Sequence, residues 1–165
     1  MRLTKVLTAT ATGLALFAGA ALAAPVSVST VLDPKEQMRF EMGDGSNHFV
    51  LAVRREGVSE GEGALAGAQV TEFGWHDINP PHAGDPQGYL RFTADNGDVA
   101  IIKFTVRAVF MKGAEKPALH DDGFWELVNG TGQFAGKRGV GHIKIEPAGG
   151  PKRLFTLTGE IGDAP

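Results

Sequence analysis

The feature that most constrains this chain is a two-residue alternation of apolar and polar side chains. In "IIKFTVRAVF" the apolar residues fall on every second position from Ile102 to Phe110, with Lys103, Thr105 and Arg107 between them. Successive side chains of a β-strand point to opposite faces, so this period predicts a strand with one apolar face. Seven further segments are predicted as strands: 37–43, 48–56, 64–73, 89–95, 123–129, 140–146 and 153–161.

Turn residues separate these segments, and few windows keep a helical period. The chain contains 23 Gly and 9 Pro, and Asp95-Asn96-Gly97-Asp98 is a strong hairpin signal. Strands with one apolar face and no helices to cover the sheet edges favour a sheet that closes on itself. We therefore predict an all-β fold, an eight-stranded antiparallel up-and-down barrel. A two-sheet sandwich is the alternative.

The first 23 residues have the pattern of a signal peptide. Arg2 and Lys5 precede an apolar run that ends in Ala21-Leu22-Ala23, a small-x-small cleavage site. We expect residues 24–36 to form an N-terminal extension and residues 37–165 a single barrel domain. The prediction is an exported protein, periplasmic or extracellular, with no membrane anchor after cleavage.

Composition excludes several classes of function. After cleavage 14 of the 16 basic residues remain against 19 acidic ones, a net charge of −5 with neutral histidines. This charge gives no electrostatic reason to bind nucleic acid. The chain has no cysteine, which excludes disulfides, thiolate metal sites and cysteine nucleophiles. We predict no cofactor and no resident metal.

The stretch "NGTGQFAGKRG" has the glycine content of a phosphate-binding loop but the wrong spacing. Five residues separate Gly130 from Gly136, where a P-loop has four, and Arg138 stands where a P-loop has Ser or Thr. We interpret the stretch as a structural turn between the sixth and seventh strands, with an apolar plug beneath it. The residues assigned to this turn are Gly130, Gly132, Phe134, Gly136 and Gly139.

Residues 124–145, "FWELVNGTGQFAGKRGVGHIKI", followed by "RLFTLTGEI", resemble the C-terminal signature of the allene oxide cyclase barrel-like family. That family is related in shape to plant dirigent proteins. The resemblance covers about 40 residues closely and implies an apolar cavity and cyclisation or guided-coupling chemistry. Its members are often oligomeric, so a homo-oligomer is also expected. The shared residues are architectural, so the resemblance assigns no catalytic residue.

Large and small residues alternate on the predicted inward faces. An eight-stranded barrel can be filled by its side chains or can hold one small ligand. Small inward residues such as Ala94, Ala108 and Gly141 favour unfilled volume, and a packed core is the alternative. We expect four aromatic residues to line a ligand site: Phe40, Phe92, Phe104 and Trp125.

Two polar residues share the inward parity of the third strand. Glu72 follows Val70 on that face, and His76 lies four residues further on. We predict that they act as general acid and base at the rim of an apolar pocket. A bulge at Gly67 or Gly74 would instead turn both toward water. The loop "WHDINPPHAGDPQG" raises the further question of a metal bound by His76 and His82, although the spacing fits no ligand motif.

The sequence therefore predicts a barrel that binds a small hydrophobic molecule. If it is an enzyme, it is a cofactor-free cyclase or isomerase, which would act by holding one reactive conformer and excluding water. The alternative is a non-enzymatic carrier, or a partner-binding barrel with a packed interior.

Overall fold

The structure, a computed structural model, describes residues 23–113 and 118–165. Eight strands make up nearly all of its secondary structure: β1 (Ala24–Glu41), β2 (Phe49–Glu62), β3 (Gln69–Asn79), β4 (Ala83–Thr93), β5 (Val99–Met111), β6 (Ala118–Gly130), β7 (Lys137–Pro147) and β8 (Arg153–Asp163). A short 3₁₀ turn, Gly132–Phe134, lies between β6 and β7. Within the described ranges, no helix is long and apolar enough to cross a membrane.

The strands close into an antiparallel barrel. Each strand pairs with the next in the chain, and β8 pairs with β1. The predicted eight-stranded up-and-down barrel is confirmed. β1 begins at Ala24, so residues 24–36, which we expected to precede the barrel, belong to it and pair with β8 and β2. The predicted signal peptide falls almost entirely on residues 1–22, outside the described part of the chain.

A bulge in β1 reverses which side chains point into the barrel. The pairing with β2 shifts register between Pro34 and Glu36. Before the bulge Leu32 is buried on the inward face; beyond it Met38 and Phe40 lie on the outer surface, 58% and 47% exposed. The prediction that Phe40 lines an interior ligand site is therefore wrong, because one inserted residue exchanges the two faces of a strand.

The inward faces of β1 and of β3 to β8 contribute to one continuous core. Its largest fully buried side chains are aromatic and aliphatic: Trp125, Phe92, Phe104, Phe155, Leu32, Leu65, Leu90, Ile102, Leu127, Ile143 and Leu157. In an up-and-down barrel, alternate connections lie at the same end. Leu65 and Phe134, from the β2–β3 and β6–β7 connections, are buried in the core and close one end with apolar side chains.

The glycine-rich connection carries the predicted plug but is shorter than expected. Phe134 is buried beneath it, and Gly132 and Gly136 adopt positive φ angles of 51° and 69°. Gly130 instead ends β6 and Gly139 lies within β7, so neither is a residue of the turn.

The same connection already holds a carboxylate where an anion would bind. Asp98, in the β4–β5 turn, accepts a hydrogen bond from the backbone N–H of Gln133 at 2.9 Å. A Cβ at Gly132 would overlap the Asp98 carboxylate. Because an internal carboxylate occupies this position, the glycines join two turns of the barrel rather than surround a phosphate.

Candidate functional site

Three charged or titratable side chains lie inside the barrel on neighbouring strands. Arg55 on β2 is directly opposite Glu72 on β3, and their residues are 4% and 0% exposed. Arg55 Nη1 donates to Glu72 Oε2 at 2.6 Å, and His76 Nε2 lies 2.8 Å from Glu72 Oε1. The structure thus places Glu72 and His76 on the inward face, where the sequence predicted them, and joins them in one buried group with Arg55.

The pair Glu72–His76 depends on the residue between them. Residues i and i+4 of a strand are about 13 Å apart along the backbone, so their side chains must lean toward each other to meet. They meet over Gly74, where an added Cβ would overlap Glu72 Oε1 and lie 2.5 Å from His76 Nε2. Gly74 is therefore the residue that allows the two groups to bond.

The hydrogen bonds define the proton positions in this group. A carboxylate accepts and does not donate, so the His76 nitrogen that faces Glu72, Nε2, carries a proton. Arg55 Nη1 is 3.5 Å from the same nitrogen, which makes this a contact between two donors rather than a hydrogen bond. His76 Nδ1 is left as the ring nitrogen that can take up and release a proton.

Asp121 and Arg153 extend the group from the opposite side of the barrel. Asp121 on β6 is 7% exposed, and burial raises its pKa to about 6, while the charges of His76 and Arg153 oppose that rise. Burial also lowers the pKa of Arg153, and the like charge of Arg55 adds to this effect. We call Arg55, Glu72, His76, Asp121 and Arg153 the charged cluster. It lies toward the end of the barrel that carries the β3–β4 and β7–β8 connections.

Two atoms of the charged cluster are buried without a partner. Among the described residues, neither Arg55 Nε nor Asp121 Oδ1 has a hydrogen-bond partner. Thr30 Oγ1, on the inward face of β1, is also buried without one in this part of the chain. Burying a polar group without a hydrogen bond costs about 1–3 kcal/mol in proteins. Such unpaired groups cluster at sites that bind a further molecule.

The four aromatic residues predicted to line a ligand site do not all lie inside the barrel, since Phe40 is on the outer surface. Phe92, Phe104 and Trp125 are buried inside the barrel, and the rings of Phe104 and Phe155 meet edge to face at 6.0 Å. Phe104 belongs to a row of cross-strand partners that runs from Gly74 through Gly88 and Phe104 to Trp125. Trp125 lies toward the plugged end and covers glycines there. Their role in binding stays a prediction.

The outer surface carries two apolar grooves that the sequence analysis did not predict. One, of about 840 Å³, includes Phe73, Trp75 and Tyr89, and the other, of about 650 Å³, includes Phe124 and Val140. All five side chains are 46% or more exposed. Both grooves lie outside the barrel, away from the charged cluster. The homo-oligomer implied by the family resemblance stays a prediction.

The segment around Pro80 is not the long loop we expected. Residues 75–79 belong to β3 and residues 83–88 to β4, so the connection is a tight turn. His76 points inward to Glu72, whereas His82 is exposed in the turn. Within residues 23–113 and 118–165, no group of three or more histidine, aspartate or glutamate side chains could hold a metal ion.

Sequence reasoning missed Arg55, Asp121 and Arg153. Arg55 shares its parity on β2 with the buried Val53, and that parity was the one available signal. The adjacent Arg54, which pairs with Glu36 on the outer face, masked it. Asp121 lies within β6, upstream of the segment 123–129 that the sequence predicted as this strand.

Solved structures share the fold. A β-barrel-like protein from Acinetobacter baumannii matches with a TM-score of 0.55 at 9% identity, covering 90% of this chain and 100% of that one. A conserved protein of unknown function from Rhodopseudomonas palustris matches with a TM-score of 0.51 at 12% identity, covering 84% and 96%. A protein of unknown function from Clostridium acetobutylicum gives 0.53 at 8% identity, covering 82% and 96%. No protein-family model matches the chain, and no curated protein does.

Proposed function

We propose that this barrel binds a small, mainly apolar molecule at the end that carries the charged cluster. The observation that carries the proposal is the side chain of Arg55. It is 4% exposed, bonds Glu72 through one Nη, and leaves Nε buried without a partner in the described chain. An oxygen of the guest that accepts from Nε would remove this desolvation cost. The buried rings of Phe104 and Phe155, the latter two residues along β8 from Arg153, offer an apolar wall beside the charged cluster.

Titration with 2-octanone, an apolar chain with one carbonyl oxygen, tests this binding by ¹H–¹⁵N NMR. In the wild-type protein we expect saturable shifts of the Arg55 Nε–H signal and of the β3 amides. The shifts of the β3 amides should weaken in Arg55→Lys, which lacks the guanidinium group. Arg91→Gln, on the outer face, is the matched control and leaves the shifts unchanged. Shifts confined to the outer aromatic residues, or none at millimolar ketone, would refute the site.

The bond between Glu72 and His76 favours a second function, proton transfer to and from the bound molecule. Glu72 fixes the proton on Nε2, so Nδ1 acts as the base. With a ketone, Nδ1 would take a proton from the carbon next to the carbonyl, and the resulting enolate oxygen would accept from Arg55 Nε–H. With a β,γ-unsaturated ketone the same proton removal gives a conjugated dienolate, and return of the proton to the γ-carbon is an isomerisation, the reaction class expected from the sequence.

Exchange of the α-hydrogens of 2-octanone for deuterium in D₂O measures this step directly. His76→Ala should abolish the protein-dependent exchange while the protein remains folded. His142→Ala, a change at an exposed histidine on β7, serves as the control and retains it. Binding without any protein-dependent exchange would make the barrel a carrier, which is the alternative function.

A further inference from the structure

The charged cluster contains two guanidinium groups but one ion pair. Arg55 bonds Glu72 at 2.6 Å. Arg153 donates to the backbone carbonyl oxygens of Lys152 and Gly150, and in the described part of the chain it has no carboxylate within ion-pair distance. Arg55 is close enough to Arg153 for its like charge to lower the pKa of Arg153. The cluster thus has a second cation without a matched anion.

The free part of Arg55 has a defined shape. A guanidinium presents five N–H groups in a plane, and a carboxylate binds two parallel ones at once. Nη1 is used by Glu72 Oε2, while Nε, on the other edge of the fork, is buried and unpaired among the described residues. That edge matches two oxygens of one planar anion better than a single hydroxyl or carbonyl oxygen.

The second carboxyl of the cluster does not fill this role. Asp121 has no ion pair with either arginine within the described ranges, and its Oδ1 is buried without a partner. Its carboxyl is also the one that burial keeps partly neutral near pH 6. Among the described residues, Glu72 is the carboxylate of the cluster that pairs directly with Arg55 and His76, while Asp121 acts on Arg153 as a nearby charge without an ion pair.

We infer that the guest carries a carboxylate, bound side-on to the free edge of Arg55 with Arg153 as the second cation. This inference rests on the proposed function and names the chemical class of its ligand. The carboxylate would enter from the end bearing the charged cluster, with its apolar body toward Phe104. The ion pair with the guest's carboxylate would lower the free-energy cost of keeping two positively charged arginines away from water.

Two probes that differ in this one group test the inference: 4-phenylbutyrate and 4-phenyl-1-butanol. Their dissociation constants are measured by calorimetry at about pH 6, where the carboxylate is still ionised. We expect the carboxylate to bind the wild-type protein at least about tenfold more tightly than the alcohol. Arg153→Gln, a change at a half-buried residue that keeps the Arg55–Glu72 pair, should reduce that preference severalfold. Arg91→Gln should leave it unchanged.

Arg55→Lys gives a second, independent measurement. It keeps the positive charge near Glu72 but removes the planar edge, so the affinity for the carboxylate should fall by a larger factor than the affinity for the alcohol. Equal affinity of the two probes, with NMR shifts at the charged cluster, would overturn the carboxylate inference and leave the proposed binding site intact. Shifts confined to the outer grooves, or no binding of either probe at millimolar concentration, would overturn both.

Discussion

Trp125 lies across the backbone of Gly141, its cross-strand neighbour on β7. An added Cβ at Gly141 would be 2.5 Å from the indole Nε1 and would overlap the carbonyl oxygen of Thr158. The indole N–H donates to that same carbonyl at 3.1 Å. Gly139 and Gly159 flank the ring in a similar way. Small inward residues at this end of the barrel are therefore the complement of one large side chain, not unfilled volume.

Gly141→Ala should destabilise the protein because the methyl group has no room. We expect the free energy of unfolding to fall by about 1–3 kcal/mol, the usual cost of overpacking a close-packed interior. Gly162→Ala is a matched control, since its nearest contact would be 3.3 Å from the Cβ of Ala23, which precedes β1 and needs to shift by only a few tenths of an ångström. Urea unfolding of both variants measures the difference, and equal stabilities would show that Trp125 moves aside freely.

The architecture was predictable from the sequence because it depends on local patterns. Alternation gives the strands, and Gly, Pro, Asn and Asp mark the turns, so the strand number and closure followed. The interior was less predictable because it depends on pairings between distant residues. No local sequence pattern shows that Trp125 contacts Gly141, or that Arg55 on β2 lies opposite Glu72 on β3.

A single inserted residue explains why the sequence predicted the wrong inward face for the second half of β1. The alternation of Met38 and Phe40 was recognised correctly, but the bulge at Pro34–Glu36 turned that apolar face outward. In β3 no such bulge occurs in the pairing with β2, so Glu72 and His76 point inward as expected. Which parity a strand buries is fixed by its partners, and the sequence of one strand does not contain that information.

Gly74→Ala should separate Glu72 from His76. The new methyl group would occupy the space in which their side chains meet, and both can swing away. We expect the deuterium exchange of 2-octanone to fall by about 10²-fold, in the range of a lost general base. The ¹⁵N shifts of the His76 ring should also change, because Nε2 loses its acceptor. Unchanged ring shifts would contradict the assigned role of Gly74.

The buried pair Arg55–Glu72 should be costly to break from one side. Arg55→Met leaves the Glu72 carboxylate buried without its cation, which we expect to cost about 3–5 kcal/mol. The double variant Arg55→Met/Glu72→Leu removes both charges and should recover most of that loss. A double-mutant cycle by urea unfolding measures the coupling. Additive losses would mean that the two charges do not stabilise each other.

Asp121 should make the stability of the protein depend on pH. Burial raises the pKa of Asp121 to about 6 in the folded state, above the ordinary aspartate value of 3.8. The folded state therefore binds this proton more tightly, and its contribution to stability is fully present below about pH 4. It is lost as the pH rises through 6, by up to about 3 kcal/mol before solvent screening reduces it.

Asp121→Asn removes this titration and isolates its effect. Relative to the wild-type protein, we expect the variant to gain stability as the pH rises from about 4 to about 7.5, by 1 kcal/mol or more. Groups that titrate alike in both proteins cancel in the difference. Asp122→Asn, at the exposed neighbouring carboxylate, is the control and should show a smaller dependence. A difference between the variant and the wild-type protein that stays constant over this range would show that the Asp121 carboxyl is ionised at an ordinary pH, with water in contact with its oxygens.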